Sequence, residues 1–380
     1  MKSAQNKYDA IVIGIGGMGS ATVFHLAQRG YRILGLERHG IPHSFGSSHG
    51  STRIIRLCYY EHPSYVPLLQ RAYELWRSLE QKAGEQLLHL TGSIDAGPPG
   101  SEVFDGSLKS CELFELPHEV LNSKELKRRF PAYCLPSETM AILQPEGGFL
   151  RPERCIVSHV VLAQAAGAEV RAHEQVLNWE PHADGVRVQT DRGTYFADSL
   201  VITAGAWVGE MIKSIAPLAV PERQVIGWFQ PLSLQRFLPP NFPVFNIRVD
   251  EGRFYGFPIF ENPGFKLGRW HHLEEKIDPN QLGTRTTLED EKLLRNFVEK
   301  YFPEGAGPIM AMAPCLFTNT SDEHFILDFH PEYPQVVIGS PCSGHGFKFC
   351  SVVGEIMADL VQKGKTSHDI SMHRLKRFSS

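Results

Sequence analysis

YDAIVIGIGGMGSATVFHLAQRGYRILGLERHG, residues 8–40, decides the fold. Residues 8–13 form a short apolar run, the pattern of a parallel strand covered on both faces. Gly14, Gly16 and Gly19 follow as GxGxxG, after which Ala21, Phe24 and Leu26 carry a helical period. A second strand, Tyr31–Leu36, ends at Glu37. Each part suits a pyrophosphate. Gly14 permits the tight strand-to-helix turn, Gly16 lets backbone N–H groups approach the phosphates, and Gly19 lets helix and strand pack closely. The helix N-terminus adds a favourable dipole, and the acid at 37 is placed for a ribose hydroxyl, which favours NAD or FAD over NADP. Strand, glycines, helix, strand and acid in this order separate the segment from a glycine-rich turn of another α/β fold.

The chain then departs from a simple dinucleotide unit. RHGIPHSFGSSHGSTRIIRLCYYEHPSYVPL, residues 38–68, is polar until Ile54 and carries His43, His49, Arg53 and Arg56. A plain NAD unit would continue promptly into another helix and strand, so this segment suits a cofactor whose ring reaches into a second domain. Later segments return to the first domain. CIVSHVVLAQAA (155–166) reads as a helix, VRVQT alternates as a strand, DRG reads as a hairpin turn, and LVITAGAW (200–207) is a buried strand with a small-residue turn. YPQVVIGSPCSGHGFKFCSVVGEIMADLVQKG closes the chain as strand, glycine turn and amphipathic helix, with Gly344 and Gly346 in the turn. Between the returns lie two inserts, 89–149 and 218–321. The second is aromatic and strand-like in GWFQPL, FYGFPIF and GFKLGRWHH, which predicts a mostly antiparallel sheet.

Bulk composition excludes several classes. The 380 residues are 42% hydrophobic and 21% charged, an ordinary globular balance. At roughly 150 residues per domain that length predicts two domains. A formal net charge of −4 gives no electrostatic case for nucleic acid or an anionic membrane surface. No apolar run reaches about 18 residues, so no membrane span is expected. The seven cysteines have no regular spacing, and the start of the chain runs straight into the glycine motif. Free thiols, a reducing cytoplasmic location and no metal site are therefore expected. Cys315 stands in AMAPCLFTNTSDEHFILDFH (311–330) with no second cysteine nearby, which leaves neither a zinc pattern nor a disulfide partner.

GIGGMGSAT, GSSHGSTRIIR, ITAGAWV, YGFP, FKLG, the run from Cys315 through TNTSDEHFILD, and SGHGFKF occur in the order found in the monomeric sarcosine oxidase family. The chain resembles that family, with its N-methyltryptophan and pipecolate oxidases, over nearly its whole length. The resemblance implies an α/β fold with an α+β second domain. A Rossmann-like FAD-binding domain (1–88, 150–217 and 322–380) would interleave with a mostly antiparallel substrate domain (89–149 and 218–321). It implies FAD joined to a cysteine, at the position held by Cys315, while Cys111, Cys134, Cys155 and Cys350 read as inert buried thiols. Gly14, Gly16, Gly19, Glu37, Gly344 and Gly346 would serve the cofactor. Arg56 and Lys348 match the pair that holds a substrate carboxylate, a fork and a point charge. His49 and Arg53 match residues lining the flavin, and Lys266 matches a lysine that promotes reaction with O2. Tyr255 and His271 match the substrate cavity, although GRWHH is one residue longer than the family pattern, so His272 competes with His271. Phe317 and Cys342 depart from the family's Tyr and bulky apolar residue.

The function so implied is oxidation of a secondary amine by FAD and O2. An N-methyl amino acid would give an imine, then the demethylated amino acid, formaldehyde and hydrogen peroxide. A pipecolate- or N-methyltryptophan-like substrate is the alternative within the family, and a monomer acting on a small amino acid is expected. A D-amino-acid or glycine oxidase would not need Cys315 in this context. An NAD-dependent dehydrogenase would purify colourless. A non-catalytic flavoprotein subunit would not need Cys315, Arg56, Lys348 and Lys266 together.

Overall fold

The computed structural model describes residues 7–378 except 184, 262, 263 and 284, so the first six and last two residues of the outer segments lie outside it. The opening apolar run is the strand Lys7–Ile13, which pairs in parallel with Ile33–Leu36 on one side and Thr194–Ile202 on the other. Its side chains alternate between two cores. Ala10 and Val12 join the cluster under the helices, while Ile11 and Ile13 join the opposite face with Leu34, Leu36, Leu200 and Ile202. Burial on both faces is why the run is continuously apolar; each such side chain contributes about 1.5–3 kcal/mol. Helix Gly17–Gln28 packs on Pro152–Ala165 and Cys350–Lys363. At Gly19 a Cβ would lie 1.8 Å from the Gly14 carbonyl oxygen, so only glycine lets this helix sit so close to the turn before it.

The sheet continues through Glu169–Arg171 beyond Ile33–Leu36. On the other side Thr194–Ile202 leads to the antiparallel strands Gly185–Thr190 and Val176–His182, and also pairs in parallel with Val336–Gly339. Register brings Ile13, Leu36 and Ile202 level, with Ile338 beside Ile202. The carboxyl ends of these strands therefore gather Gly14, Glu37, Thr203 and Ser340 at one edge, where open α/β sheets bind ligands.

A second sheet orders Ile309–Asn319, Val220–Phe229, Phe265–Arg269, Gly252–Phe257, Val244–Val249, Ser93–Gly97, Met140–Gln144 and Glu119–Asn122. All neighbours are antiparallel except Val244–Val249 with Ser93–Gly97. The insert 218–321 also holds a helix, Leu288–Tyr301, beyond the antiparallel strands expected there. Its amphipathic face buries Leu294, Phe297 and Val298 on the sheet, and Thr287 and Asp290 form a capping box at its start. A small sheet of Arg53–Ile55, Gly148–Leu150 and Leu88–Leu90 carries the polar segment past the cavity. Among the described residues no helix is long and apolar enough to cross a membrane.

Candidate active site

One cavity runs from the edge of the first sheet to the face of the second. It encloses about 1930 Å³ of non-atom space, a figure that includes the open solvent at its mouth. Gly14, Gly16 and Glu37 border it on one side, Cys315, Phe317, Cys342, Gly344 and Gly346 along its length, and Arg56, Lys348, Asn246 and Tyr255 on the other.

The dinucleotide side fits a phosphate and a ribose. A Cβ built on Gly16 would meet only Ser48 Oγ at 3.9 Å, so its missing side chain leaves open space beside the start of the helix, where Ser48 Oγ accepts the Gly17 N–H at 3.3 Å. Glu37 accepts the Ile15 N–H at 2.8 Å on one oxygen and the His39 N–H at 2.9 Å on the other. Each carboxylate oxygen keeps acceptor capacity for a ribose hydroxyl. Thr318 Oγ1, on the cavity lining, is a buried polar atom without a protein partner, which an enclosed polar ligand would satisfy.

Cys315 sits in the strand Ile309–Asn319 opposite Gln224, and it is buried. Arg53 Nη2 lies 3.7 Å from its sulfur and donates to Ser47 O at 2.8 Å. Lys266 and His49 do not border the open cavity; both are buried beside Arg53. Lys266 Nζ donates to Gly50 O and Thr52 O at 2.9 and 2.6 Å and lies 4.0 Å from the Phe257 ring centre. Burial first, then Arg53, hold the Lys266 ammonium well below its ordinary range. His49 is pushed down to about 3 by burial, with Arg53 and Lys266 adding to it, so it is a neutral imidazole.

The far wall concentrates charge. Arg56 is fully buried, with Nη2 donating to Glu61 at 2.9 Å, Nε 3.4 Å from Asp95, and Nη1 donating to Cys58 O. Burial opposes its charge, but Asp95 and Glu61 hold it protonated. Burial likewise raises Glu61, yet Arg56 chiefly brings it down to about 2. Lys348 Nζ donates to His345 O at 2.8 Å, and it and Arg56 lie 5.2 and 4.6 Å from the centre of the same Tyr59 ring. Burial brings Lys348 down to about 7, with Glu61 opposing the fall and Arg56 adding to it.

The structure turns both GRWHH histidines away from the cavity, a correction to their expected place in its lining. His271, at φ 54°, lies between Glu222 and Glu323 with contacts of 2.9 and 2.7 Å, and the two carboxylates raise it to about 9. His272 is fully buried on Asp290 at 2.9 Å. Trp270 borders the cavity instead, with Arg253 4.0 Å over its face and Phe317 at 4.8 Å. Other lining residues that the sequence reading missed are Glu61, Asn246 and His345. His345 was within view inside SGHGFKF. Its Nε2 donates to Glu323 O at 2.9 Å, so Nδ1 accepts from the Tyr59 hydroxyl.

A glycine-cradled dinucleotide edge opening onto a buried cationic chamber belongs to flavin oxidoreductases, and the chain is a member of the FAD dependent oxidoreductase family, whose profile matches residues 9–360. Within that family it is 41% identical to monomeric sarcosine oxidase of Streptomyces avermitilis over 383 residues, covering 98% of each chain. It is 35% identical to N-methyl-L-tryptophan oxidase of Yersinia pestis over 376 residues, covering 98% of this chain and 99% of that one. Among solved structures, NikD, an unusual amino acid oxidase essential for nikkomycin biosynthesis, superposes with a TM-score of 0.83 at 27% identity over 97% of both chains. L-proline dehydrogenase from P. horikoshii shares the fold, with a TM-score of 0.84 at 22% identity over 98% of both.

Proposed function

We propose that the protein is an FAD-dependent oxidase of secondary-amine amino acids, with N-methyl amino acids as the leading substrates. The observation that carries this reading is the chamber wall, where Arg56 and Lys348 share the Tyr59 ring at the far side of a cavity that begins at Glu37. A carboxylate is the ligand that two converging buried cations favour, and hydrogen bonds to charged groups contribute roughly 1.5–3 kcal/mol each. Arg56 is already engaged by Glu61, so an incoming carboxylate displaces Glu61 or takes a remaining N–H of the fork. The relatives named above support an amino-acid substrate with a substituted amine.

Glu37 and the glycine turn would hold the dinucleotide, while Thr318 would supply a partner along its polar parts. FAD, when bound, would supply the acceptor for a hydride equivalent and a route for its electrons to O2, with peroxide as the product. Cys315 is the thiol we assign to covalent attachment of the flavin, with Arg53 Nη2 3.7 Å from its sulfur. Lys266, held on two backbone carbonyls beside Arg53, is the residue we assign to the reaction with O2, where negative charge developing on oxygen would favour its protonated form against the burial that disfavours it. Burial around Tyr255 and Trp270 favours the neutral amine over the ammonium, which prepares its C–H bond for transfer without a separate base. The resulting imine hydrolyses to the primary amino acid and, from an N-methyl substrate, formaldehyde. We assign the reaction to a monomer.

Peroxide release by the purified yellow protein tests the reading against sarcosine, N-methyl-L-alanine, N-methyl-L-tryptophan, L-pipecolate, L-proline and a D-amino acid. A preference among the secondary amines supports it. Silence on all of them, from folded flavin-loaded protein, overturns it.

A further inference from the structure

The second sheet carries a polar pair that holds neither the cofactor nor the carboxylate. Asp95, Asn246 and Tyr255 stand side by side on three neighbouring strands, Asp95 opposite Asn246 and Asn246 opposite Tyr255. Asn246 and Tyr255 border the cavity, and Asp95 is completely buried behind them. Four donors converge on the Asp95 carboxylate. Asn246 Nδ2 is 2.7 Å away, Ser107 Oγ 2.8 Å, Cys58 Sγ 3.3 Å and Arg56 Nε 3.4 Å.

An ionised carboxylate only accepts hydrogen bonds. Asp95 therefore fixes the orientation of the Asn246 amide, with the NH2 turned inward and the carbonyl oxygen left over. Among the described residues no donor reaches Asn246 Oδ1, and that oxygen is not sealed from the cavity. A wall meant only for an N-methyl or other alkyl group gains nothing from an acceptor there, because the approach of an apolar group strips water from it without replacement.

We propose that Asn246 is a specificity residue that accepts a hydrogen bond from a hydroxyl group on the substrate's N-substituent or side chain, with Asp95 as its positioning residue. The proposal rests on the amino-acid oxidase reading and narrows its substrate class to hydroxylated N-substituted amino acids. The acceptor is preorganised, since turning the amide over would set its oxygen against the Asp95 carboxylate.

The test compares kcat/KM within two near-isosteric pairs, N-(2-hydroxyethyl)glycine against N-propylglycine and N-methyl-L-serine against N-methyl-L-2-aminobutyrate. The unaltered protein is expected to favour the hydroxylated member of at least one pair by about fivefold or more. Asn246→Leu should reverse that preference, and Asp95→Asn, which frees the amide to turn, should bring the ratio towards one. The ratio is insensitive to a general loss of folded enzyme, and Asn246→Met serves in place of Asn246→Leu if the latter is insoluble. Equal use of both members of both pairs by the unaltered protein overturns the proposal. So does a variant at 246 that lowers both members alike, which would place Asn246 against the amine or the scaffold. Silence on all four compounds and on sarcosine sinks the amino-acid reading itself, a distinct result.

Discussion

Replacing Lys348 by methionine, and titrating both proteins with a simple carboxylate such as propionate across about pH 6 to 9, probes the charged wall directly. Burial, with Arg56 adding to it against the opposing pull of Glu61, brings Lys348 from 10.5 to about 7. At pH 6 the side chain is mostly ammonium, and above 7 the protonated fraction falls about tenfold with each pH unit. Arg56 keeps its charge throughout this range and contributes no slope. If Lys348 helps hold the carboxylate, Kd should be level below about pH 6.5 and weaken about tenfold per unit above about 7.5. Propionate has no amine, so no ligand proton confuses the profile, and binding can be followed by the visible absorption of the flavin. Lys348→Met should bind more weakly at pH 6 and lose the slope. The same slope in the variant, or a flat profile in the unaltered protein, would refute the reasoning.

Stability should move in the opposite sense. Between 7 and 10.5 the unfolded chain binds a proton at Lys348 that the folded protein does not, so this group's contribution to stability rises with pH across that window, and Lys348→Met lacks that rise. Below 7 the buried ammonium costs roughly 4–5 kcal/mol, and Lys348→Met should melt higher than the unaltered protein at pH 6.

Cys315→Ala should leave the flavin entirely in the supernatant after acid precipitation, whereas the unaltered protein should precipitate yellow; colourless precipitate from both would remove the attachment site. His271 is raised to about 9 by Glu222 and Glu323, so its contribution is full below about 6.5 and lost as pH rises through 9. His271→Gln should therefore melt below the unaltered protein at pH 6.5, and the gap between the two should close as pH rises through 9. Gly19→Ala would set a Cβ 1.8 Å from the Gly14 carbonyl oxygen. Because backbone must move, the cost should exceed the usual overpacking range of about 1–3 kcal/mol, read as a lower denaturant midpoint and a reduced flavin content.

How far the site was legible in the sequence follows from how local its parts are. Gly14 to Glu37 is a contiguous strand–turn–helix–strand, so glycine spacing and apolar runs carry it without tertiary information. The helix Leu288–Tyr301 was also locally signalled by the capping pair Thr287 and Asp290 ahead of an amphipathic run, but the surrounding aromatic strands dominated that reading. Asp95 and Asn246 are 151 residues apart and meet only through the parallel pairing of their strands. Nothing local distinguishes a buried Asp on a pocket wall from one in a surface turn. Glu61 was near at hand, five residues after Arg56, yet its contact depends on a non-repetitive turn. In GRWHH the choice between Trp270, His271 and His272 hangs on one loop residue at positive φ, a backbone detail that composition does not encode.

The central claim is that a flavin here accepts electrons from an amine whose carboxylate is held by Arg56 and Lys348. Anaerobic mixing of the purified flavoprotein with sarcosine, and separately with dimethylamine, which has the same secondary amine without the carboxylate, tests it most directly. The account predicts bleaching of the flavin absorption by sarcosine or by another N-substituted amino acid of the panel, and none by dimethylamine at the same concentration. Equal bleaching by the carboxylate-free amine, or none by any secondary-amine amino acid, would contradict it.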